Sequence, residues 1–268
     1  MRNESQGGDG GHLADVADES GQLASLAKLI AMTRATRRIV AFTGAGISTE
    51  SGIPDYRGPG GVWERQAPPT LGDFRENVET RRQYWDHRRT VYPRMAATLP
   101  NAGHAALVAL ERDGRLAAVI TQNIDGLHQK AGNHPSRVIE LHGTSHIIRC
   151  LDCGDETPAG VIQGRLNRGE EVPACMLCGG PLRAATILFG ESLPEDALRR
   201  AVAAARGCDL MLVVGSSLIV NPAARLPLLA KRAGSRLAIV NRTATPLDGL
   251  ADVRVVGGAG EILSAVVA

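Results

Sequence analysis

The chain has 268 residues, of which 44% are hydrophobic and 22% are charged, and its formal net charge at pH 7 is +2. This length and composition suit one large α/β domain, alone or with a smaller insert. The near-balance of charge and the 3% of aromatic residues argue against a nucleic-acid surface. The acidic, glycine-rich start is unlike a signal peptide, and the longest apolar stretch is too short for a membrane span. We expect a cytoplasmic protein whose residues 1–22 form a disordered tail.

The first predicted elements are a helix over about 22–37 and a buried strand from Ile39 to Phe42. The strand leads directly into Gly44-Ala45-Gly46, where glycines would let the backbone approach a pyrophosphate and a following helix would supply amide donors. The spacing is not the standard dinucleotide fingerprint, so a glycine turn that only reverses the chain is the alternative. Asp55-Tyr56-Arg57 follows and adds a carboxylate, an aromatic ring and a guanidinium, which favours a binding site.

A helical insert is predicted over about 72–98, which holds most of the aromatic residues of the chain. These aromatics form either the core of a small subdomain or a wall for an apolar substrate tail. A helix over 101–112 and a strand over 116–121 then resume the main sheet.

Polar side chains follow two of the predicted strands. Gln122-Asn123-Ile124-Asp125 comes directly after the strand over 116–121, and His142-Gly143 follows a short strand over 137–141. Ligands collect beyond the carboxyl ends of strands in open parallel sheets, so these residues are candidates for a site. The alternatives are that Asp125 merely caps a helix over 125–131 and that the histidine is structural. An imidazole at a strand end can act as a base near neutral pH.

Four of the five cysteines form two C-x-x-C pairs, Cys150 with Cys153 and Cys175 with Cys178, separated by 21 residues. Each pair places two thiolates on one side of a tight turn, and the two pairs complete a tetrahedron. Four thiolates leave no open coordination position, so we expect one structural Zn²⁺; redox chemistry is the alternative.

The remaining chain alternates short strands with helices, as in a doubly wound parallel sheet. Helices are predicted over about 194–206, 222–233 and 260–267, and strands over 210–214, 236–240 and 251–256. Two of these strands end in small or polar groups, Gly215-Ser216-Ser217 and Asn241, which could receive a ribose and its phosphates.

Taken together, the motifs resemble those of the sirtuins, which are NAD-dependent protein lysine deacylases, over about residues 25–268. Within that family they are most similar to a class II-like bacterial branch. The resemblance rests on motifs in the family order: Gly44 to Ser48, Gly52 to Arg57, Thr121 to Asp125, His142-Gly143, the four cysteines, Phe189-Gly190-Glu191, Gly215 to Ser217 and Val240-Asn241.

The resemblance implies a Rossmann-type NAD-binding domain over 23–60, 104–145 and 188–268. A helical insert over 61–103 and a zinc-binding module over 146–187 would form the smaller part. An acyl-lysine protein or peptide would enter between the two parts, with no nucleic-acid or membrane partner.

The resemblance also implies the site residues. Asp125 and the Ile124 backbone would hold the nicotinamide carboxamide, and His142, Asn123 and Gln122 would be the catalytic set. The implied cofactor-binding residues are Gly44, Ala45, Gly46, Thr49, Asp55, Tyr56, Arg57, Gln122, Asn123, Ile124, Asp125, Gly215, Ser216, Ser217, Asn241 and Ala259.

In the implied reaction the acyl oxygen attacks C1′ of the nicotinamide ribose. His142 then deprotonates a ribose hydroxyl, which attacks the acyl carbon. Nicotinamide, free lysine and O-acyl-ADP-ribose result, and zinc takes no part. The alternatives are a mono-ADP-ribosyltransferase using the same NAD site and a non-catalytic nucleotide-sensing module.

Two departures from the family pattern concern the substrate. Ala185 stands where family members commonly have Asp. Trp85 and Arg88 align with the Tyr and Arg that read the acyl carboxylate in succinyl-preferring members, and we assign both to the acyl pocket. The missing Tyr predicts that uncharged acyl groups are removed better than succinyl.

Overall fold

The computed structural model describes residues 10–55, 70–188 and 190–268. The strands in chain order are β1 (Ile39–Thr43), β2 (Leu116–Thr121), β3 (Val138–Glu140), β4 (Gly143–Cys150), β5 (Glu156–Pro158), β6 (Leu182–Thr186), β7 (Leu210–Val214), β8 (Arg236–Val240) and β9 (Val253–Val255). The helices are α1 (Gly10–Arg34), α2 (Leu71–Glu76), α3 (Val78–Ala97), α4 (Ala102–Arg112), α5 (Leu127–Ala131), α6 (Ala159–Asn167), α7 (Glu195–Arg206), α8 (Arg225–Arg232) and α9 (Ala259–Val267).

The main sheet has six parallel strands in the order β3-β2-β1-β7-β8-β9. The chain moves outward in one direction from β1 to β3 and in the other direction from β7 to β9. The order therefore reverses between β1 and β7, where a doubly wound sheet opens a crevice beyond its carboxyl strand ends. This confirms the predicted fold class.

Alternate residues of the central strands serve two cores, as expected for a sheet covered on both faces. Ile39 and Ala41 of β1 face a core that α1, α4 and α9 complete. Val40 and Phe42 face a second core, completed by α7 and α8. The near-continuous apolar strands are thereby buried on both sides.

A smaller module is built on an antiparallel sheet in the order β5-β4-β6. Its core joins Trp85 and Tyr92 of α3 to Ile148 of β4, Ile162 of α6 and the first cysteines of the two pairs. The helical insert and the cysteine region thus share one core. The domain boundaries given above stay a prediction.

Helix α1 differs from the prediction because it begins at Gly10 rather than near residue 22. The sequence from His12 to Ser20 holds neither Gly nor Pro and several good helix formers, so the helix extends through part of the expected tail. Residues 1–9 lie outside the described ranges. No helix within those ranges is both long and apolar enough to cross a bilayer.

The predicted helical stretch over 72–98 is two helices. The chain breaks at Asn77, whose extended backbone ends α2 and whose side-chain oxygen accepts from the Glu79 amide to cap α3. An Asn side chain at an N-cap accepts hydrogen bonds from the first free amides of the helix that follows it. This favours the start of a new helix at Asn77 over continuation of α2.

Candidate active site

A cleft of about 860 Å³ opens at the carboxyl ends of β1, β2, β7 and β8. It lies at the reversal point of the main sheet, where the sequence places the polar strand ends. The predicted residues that line it are Gly44, Ala45, Gly46, Thr49, Asp55, Gln122, Asn123, Ile124, His142, Gly215, Ser216, Ser217, Asn241 and Ala259. Tyr56 and Arg57 lie outside the described residues. The cleft therefore unites residues that are up to 215 positions apart in the chain, Gly44 and Ala259.

The glycine turn after β1 packs on the turn after β7. The Gly44 amide donates to the Val214 carbonyl at 3.1 Å, and the Gly46 amide donates to the Gly215 carbonyl at 2.9 Å. A Cβ on Gly46 would lie 2.7 Å from the Gly215 Cα. The glycines are thus required for contact between two strand ends, a reason that the sequence analysis did not give.

The segment after this turn is not the α-helix expected from the dinucleotide analogy. Two short 3-10 turns, Ala45–Ile47 and Thr49–Ser51, follow instead. They end at Gly52, whose φ is +86°, and Pro54 comes two residues later. A left-handed glycine and a proline stop helix propagation.

Asn123 and Asp125 form a buried polar cluster with Ser48. The Ser48 hydroxyl donates to an Asp125 carboxylate oxygen at 2.7 Å, and the Asn123 amide group donates to Ser48 Oγ and the Gly44 carbonyl, both at 3.1 Å. The other Asp125 oxygen accepts from the Leu127 amide at 3.0 Å. Asp125 therefore does bond the first amide of α5, and it also ties the β2 loop to the glycine turn. Its side chain lies behind the cleft wall rather than in it.

His142 stands at the end of β3 with its ring in the cleft. Its Nδ1 lies 2.9 Å from the backbone carbonyl oxygen of Gln122. A carbonyl only accepts, so Nδ1 carries the proton and Nε2 has the basic lone pair. The Gln122 side chain donates to Ser216 Oγ at 2.9 Å and thereby joins the ends of β2 and β7.

The far end of the cleft is closed by the start of α9. The Gly260 amide donates to both carboxylate oxygens of Glu50, at 3.1 and 3.2 Å. A Cβ on Gly258 or Gly260 would lie within 2.6 Å of that carboxylate. Glu50 thus fixes the first turn of α9, which presents Ala259 to the cleft beside Asn241.

The four predicted metal ligands converge in the small module. All four sulfur atoms lie within 4.8 Å of one another, with Cys150 and Cys178 sulfurs 3.5 Å apart and Cys153 and Cys175 sulfurs 3.7 Å apart. Zn–S bonds of about 2.3 Å in a tetrahedron place sulfurs about 3.8 Å apart. The donor set and its dimensions therefore fit a closed Cys₄ zinc site.

A family profile described as the Sir2 family matches residues 44–222, which cover the glycine turn, the loops after β2 and β3 and all four cysteines. This chain belongs to the Sir2 family. Among its relatives, the NAD-dependent protein deacetylase 1 of Bradyrhizobium diazoefficiens is 45% identical over 87% of this chain and 91% of its own length. The NAD-dependent protein deacylase 2 of Archaeoglobus fulgidus is 42% identical over 87% of this chain and 90% of its own length.

Solved Sir2 structures share the fold. A Sir2 enzyme studied for mechanism and regulation has a TM-score of 0.82 at 40% identity and covers 91% of this chain and 96% of its own. A Sir2 complex with a p53 peptide and NAD⁺ has a TM-score of 0.80 at 37% identity and covers 88% of this chain and 94% of its own.

Two residues assigned to the acyl pocket do not line the cleft. Trp85 is completely buried in the core of the small module. The Arg88 guanidinium donates to the Ser145 carbonyl at 2.5 Å and lies 4.6 Å from the centroid of the Tyr92 ring. Their assignment to an acyl pocket stays a prediction.

The cleft also has walls that the sequence analysis did not assign to the site, namely Thr186 to Leu188 with Glu191, and Ile219 to Pro222. Arg183 forms an ion pair with Glu191, whose other oxygen accepts from the Leu188 amide at 2.7 Å. The Phe189-Gly190-Glu191 motif pointed to the first wall, and Phe189 itself lies outside the described residues. The second wall follows Gly215-Ser216-Ser217 in the chain and could have been inferred from that adjacency.

Proposed function

We propose that this Sir2 chain is an NAD-dependent protein lysine deacylase, which transfers an acyl group from lysine to ADP-ribose and releases nicotinamide. The observation that carries the proposal is the position of His142, whose ring enters the cleft with Nδ1 held by the Gln122 carbonyl. The relatives named as NAD-dependent deacetylases and deacylases support the reaction class.

The residues of the cleft fit NAD along its length. The turn at Ala45 and Thr49, with Gly215 to Ser217, would hold the phosphates and a ribose, because backbone amides and hydroxyls suit anionic and hydroxyl-rich groups. Asn241 and Ala259 would receive the adenosine half. The Ile124 backbone would define the nicotinamide end, and Asp125 would support it from behind the cleft wall through its hydrogen bond from Ser48.

When bound, NAD supplies an electrophilic ribose carbon and an adjacent ribose hydroxyl. Gln122 and Asn123 would orient that ribose, since both side chains are held by fixed partners on the neighbouring strand ends. His142 would accept the hydroxyl proton at Nε2, the nitrogen left basic by the Gln122 contact. The four cysteines would hold zinc as a structural ion and supply no group to the reaction.

The acyl-lysine substrate is supported by the neighbouring structures. Sir2 proteins bound to an acetylated peptide and to a propionylated peptide have TM-scores of 0.79 and 0.80 against this chain. We infer that an extended acyl-lysine segment lies against the walls formed by Thr186 to Leu188 and Ile219 to Pro222. A cytoplasmic location and the absence of nucleic-acid partners stay predictions from the sequence.

The test is mass spectrometry of acetyl- to long-chain acyl-lysine peptides incubated with the purified protein, with and without NAD. We expect loss of the acyl group only with NAD, together with nicotinamide and O-acyl-ADP-ribose. The matched variant is His142→Ala, which should lose deacylation while keeping its zinc and its NAD affinity.

Two outcomes would contradict the proposal. Nicotinamide release with ADP-ribose attached to protein, and no deacylated peptide, would indicate ADP-ribosyl transfer. A His142→Ala variant that kept most of the deacylation rate would remove the assigned base.

A further inference from the structure

Two buried histidines lie near the loop that follows β2, Gln122 to Asp125. His104 of α4 and His128 of α5 have exposed fractions of 0% and 1%, and their ring centroids are 5.0 Å apart. Burial lowers the pKa of His128 to about 3, so its ring is neutral. Within the described residues, His104 Nε2 and His128 Nδ1 have no hydrogen-bond partner. Burying nitrogens without hydrogen-bond partners costs free energy, so two apolar side chains would give a more stable protein here. The presence of two imidazoles therefore indicates a role other than stability.

A chain of hydrogen bonds leads from His128 to Asn123 in that loop. His128 Nε2 lies 2.9 Å from Thr43 Oγ1, whose hydroxyl donates to Thr121 Oγ1 at 2.9 Å. The backbone amide of Asn123 donates to the same Thr121 oxygen at 3.0 Å. Since Thr43 gives its only hydroxyl proton to Thr121, its oxygen accepts from the Nε2–H of His128.

The second histidine joins this chain to the glycine turn. His104 Nδ1 lies 3.3 Å from the backbone nitrogen of Asn101 and 3.1 Å from its side-chain oxygen, so the ring is part of the cap of α4. The Asn101 side chain donates to the Ile47 carbonyl at 2.8 Å.

We propose that His128, acting through Thr43 and Thr121, is a positioning residue that fixes the backbone of Asn123 at the reacting ribose. The hydroxyls of Thr43 and Thr121 are themselves buried at the ends of β1 and β2, so the strand register sets the geometry. The inference rests on the proposed function, because it gives a role to the placement of Asn123.

The kinetic test uses Thr43→Val, which keeps the shape of the side chain and removes the hydroxyl. Thr43→Ser restores the hydroxyl. Thr33→Val is the matched control, since Thr33 is equally buried and its hydroxyl donates to Leu29 of α1, away from the cleft. Nicotinamide release is followed in single turnovers with enzyme in excess over NAD and saturating acetyl-lysine peptide. With folded enzyme also well above its Kd for NAD, the rate constant does not depend on the fraction of enzyme that is folded.

We expect the single-turnover rate constant of Thr43→Val to fall about tenfold or more, because small displacements of a positioning group are costly to the reaction. Thr43→Ser and Thr33→Val should stay within about twofold of the wild type, a difference of less than half a kcal/mol in barrier. The proposal would be overturned if Thr43→Val had the wild-type rate constant, or if the rate constant of Thr33→Val fell as much as that of Thr43→Val.

The second measurement does not depend on turnover. Two-bond ¹H–¹⁵N NMR spectra of the imidazoles, recorded without NAD or peptide, should show the Nε2–H tautomer for His128. The Nδ1–H tautomer would reverse the donor order argued for His128, Thr43 and Thr121 and overturn the proposal in this form. A wild-type protein that released no nicotinamide would contradict the proposed function, and the tautomer of His128 would still test the donor order of the chain.

Discussion

Gly46 and Gly215 are in direct backbone contact at the floor of the cleft, where the Gly46 amide donates to the Gly215 carbonyl at 2.9 Å. Gly215 has a φ of +62°, and a Cβ on it would lie 2.3 Å from the Ile47 backbone nitrogen. The two turns that would hold the NAD phosphates are therefore one packed unit, and neither can move without the other.

We predict that Gly215→Ala loses about 3 kcal/mol or more of unfolding free energy, since both left-handed strain and a backbone clash oppose the methyl group. Gly234→Ala is the control. Gly234 has a φ of +97° but no atom within 4 Å of an added Cβ, so it should lose only about 1–2 kcal/mol. Urea unfolding of the two variants measures the difference, and equal losses would contradict the packing argument.

Removal of zinc should abolish activity although no cysteine lines the cleft. Strand β4 runs from Gly143, next to His142, to the predicted ligand Cys150, so loss of the metal would loosen the strand that follows the proposed base. Metal binding at such sites supplies on the order of 10 kcal/mol of apparent folding free energy.

The loss can be followed at Trp85, which is buried in the same core as Cys150 and Cys175. In a Trp63→Phe background Trp85 is the only tryptophan of the chain. We expect a chelator to shift its emission to longer wavelength as activity falls, and added Zn²⁺ to reverse both. A metal-free protein with unchanged emission and full activity would contradict the structural role.

The sequence allowed the main sheet and most of the cleft to be predicted because buried strands followed by polar residues are a local pattern. Gln122 to Asp125, His142 and Asn241 were all found at strand ends in this way. The contact of Glu50 with Gly260 could not be foreseen, because it joins residues 210 positions apart and has no local periodicity.

The small module was less predictable. Strand β5 has three residues, and β4 mixes buried and half-exposed positions without strict alternation. Metal coordination, rather than an apolar pattern, specifies such elements. The burial of Trp85 follows from tertiary packing between α3 and the cysteine module, which the helical sequence alone does not encode.

The two buried histidines should make the protein acid-sensitive. Burial lowers the pKa of His128 to about 3 and that of His104 to about 4, the latter partly opposed by the carboxylates of Asp125 and Glu50. In the unfolded chain a histidine titrates near about 6.5. Below that pH the unfolded chain binds protons that the folded protein does not. The contribution of the two histidines to stability is therefore fully present above about pH 6.5 and is lost as the pH falls toward about 4.

With both imidazoles titrating, we expect unfolding to take up about two protons, a slope of about 2.7 kcal/mol per pH unit at its steepest. Glu140 acts in the opposite direction because burial raises its pKa. Urea unfolding between pH 7.5 and 5 measures the slope, and His128→Gln should reduce it by about one proton. Equal stability at pH 7.5 and 5 would show that the two rings are protonated in the folded protein.

Finally, we predict that acetyl- and butyryl-lysine peptides are better substrates than succinyl-lysine. Among the described residues that line the cleft, Arg242 is the only arginine or lysine. It follows β8, which is four strand spacings, or about 19 Å, from β3 and its His142. The Arg88 guanidinium is engaged by the Ser145 carbonyl and the Tyr92 ring. Within the described part of the chain, a succinyl carboxylate near the reacting carbon would therefore lose solvation without gaining a cation.

We expect kcat/KM for succinyl-lysine to be at least about tenfold lower than for acetyl-lysine, the effect of about 1.4 kcal/mol in the barrier. The matched control peptide carries an acyl group of the same length in which an uncharged amide replaces the succinyl carboxylate. We expect this peptide to be a substrate. Trp85→Tyr tests the predicted acyl pocket, because a Tyr that reached the acyl group would raise the succinyl-to-acetyl ratio. A Tyr confined to the core would lower stability and leave that ratio unchanged. A wild-type enzyme that removed succinyl faster than acetyl would show that another cation reaches the acyl group.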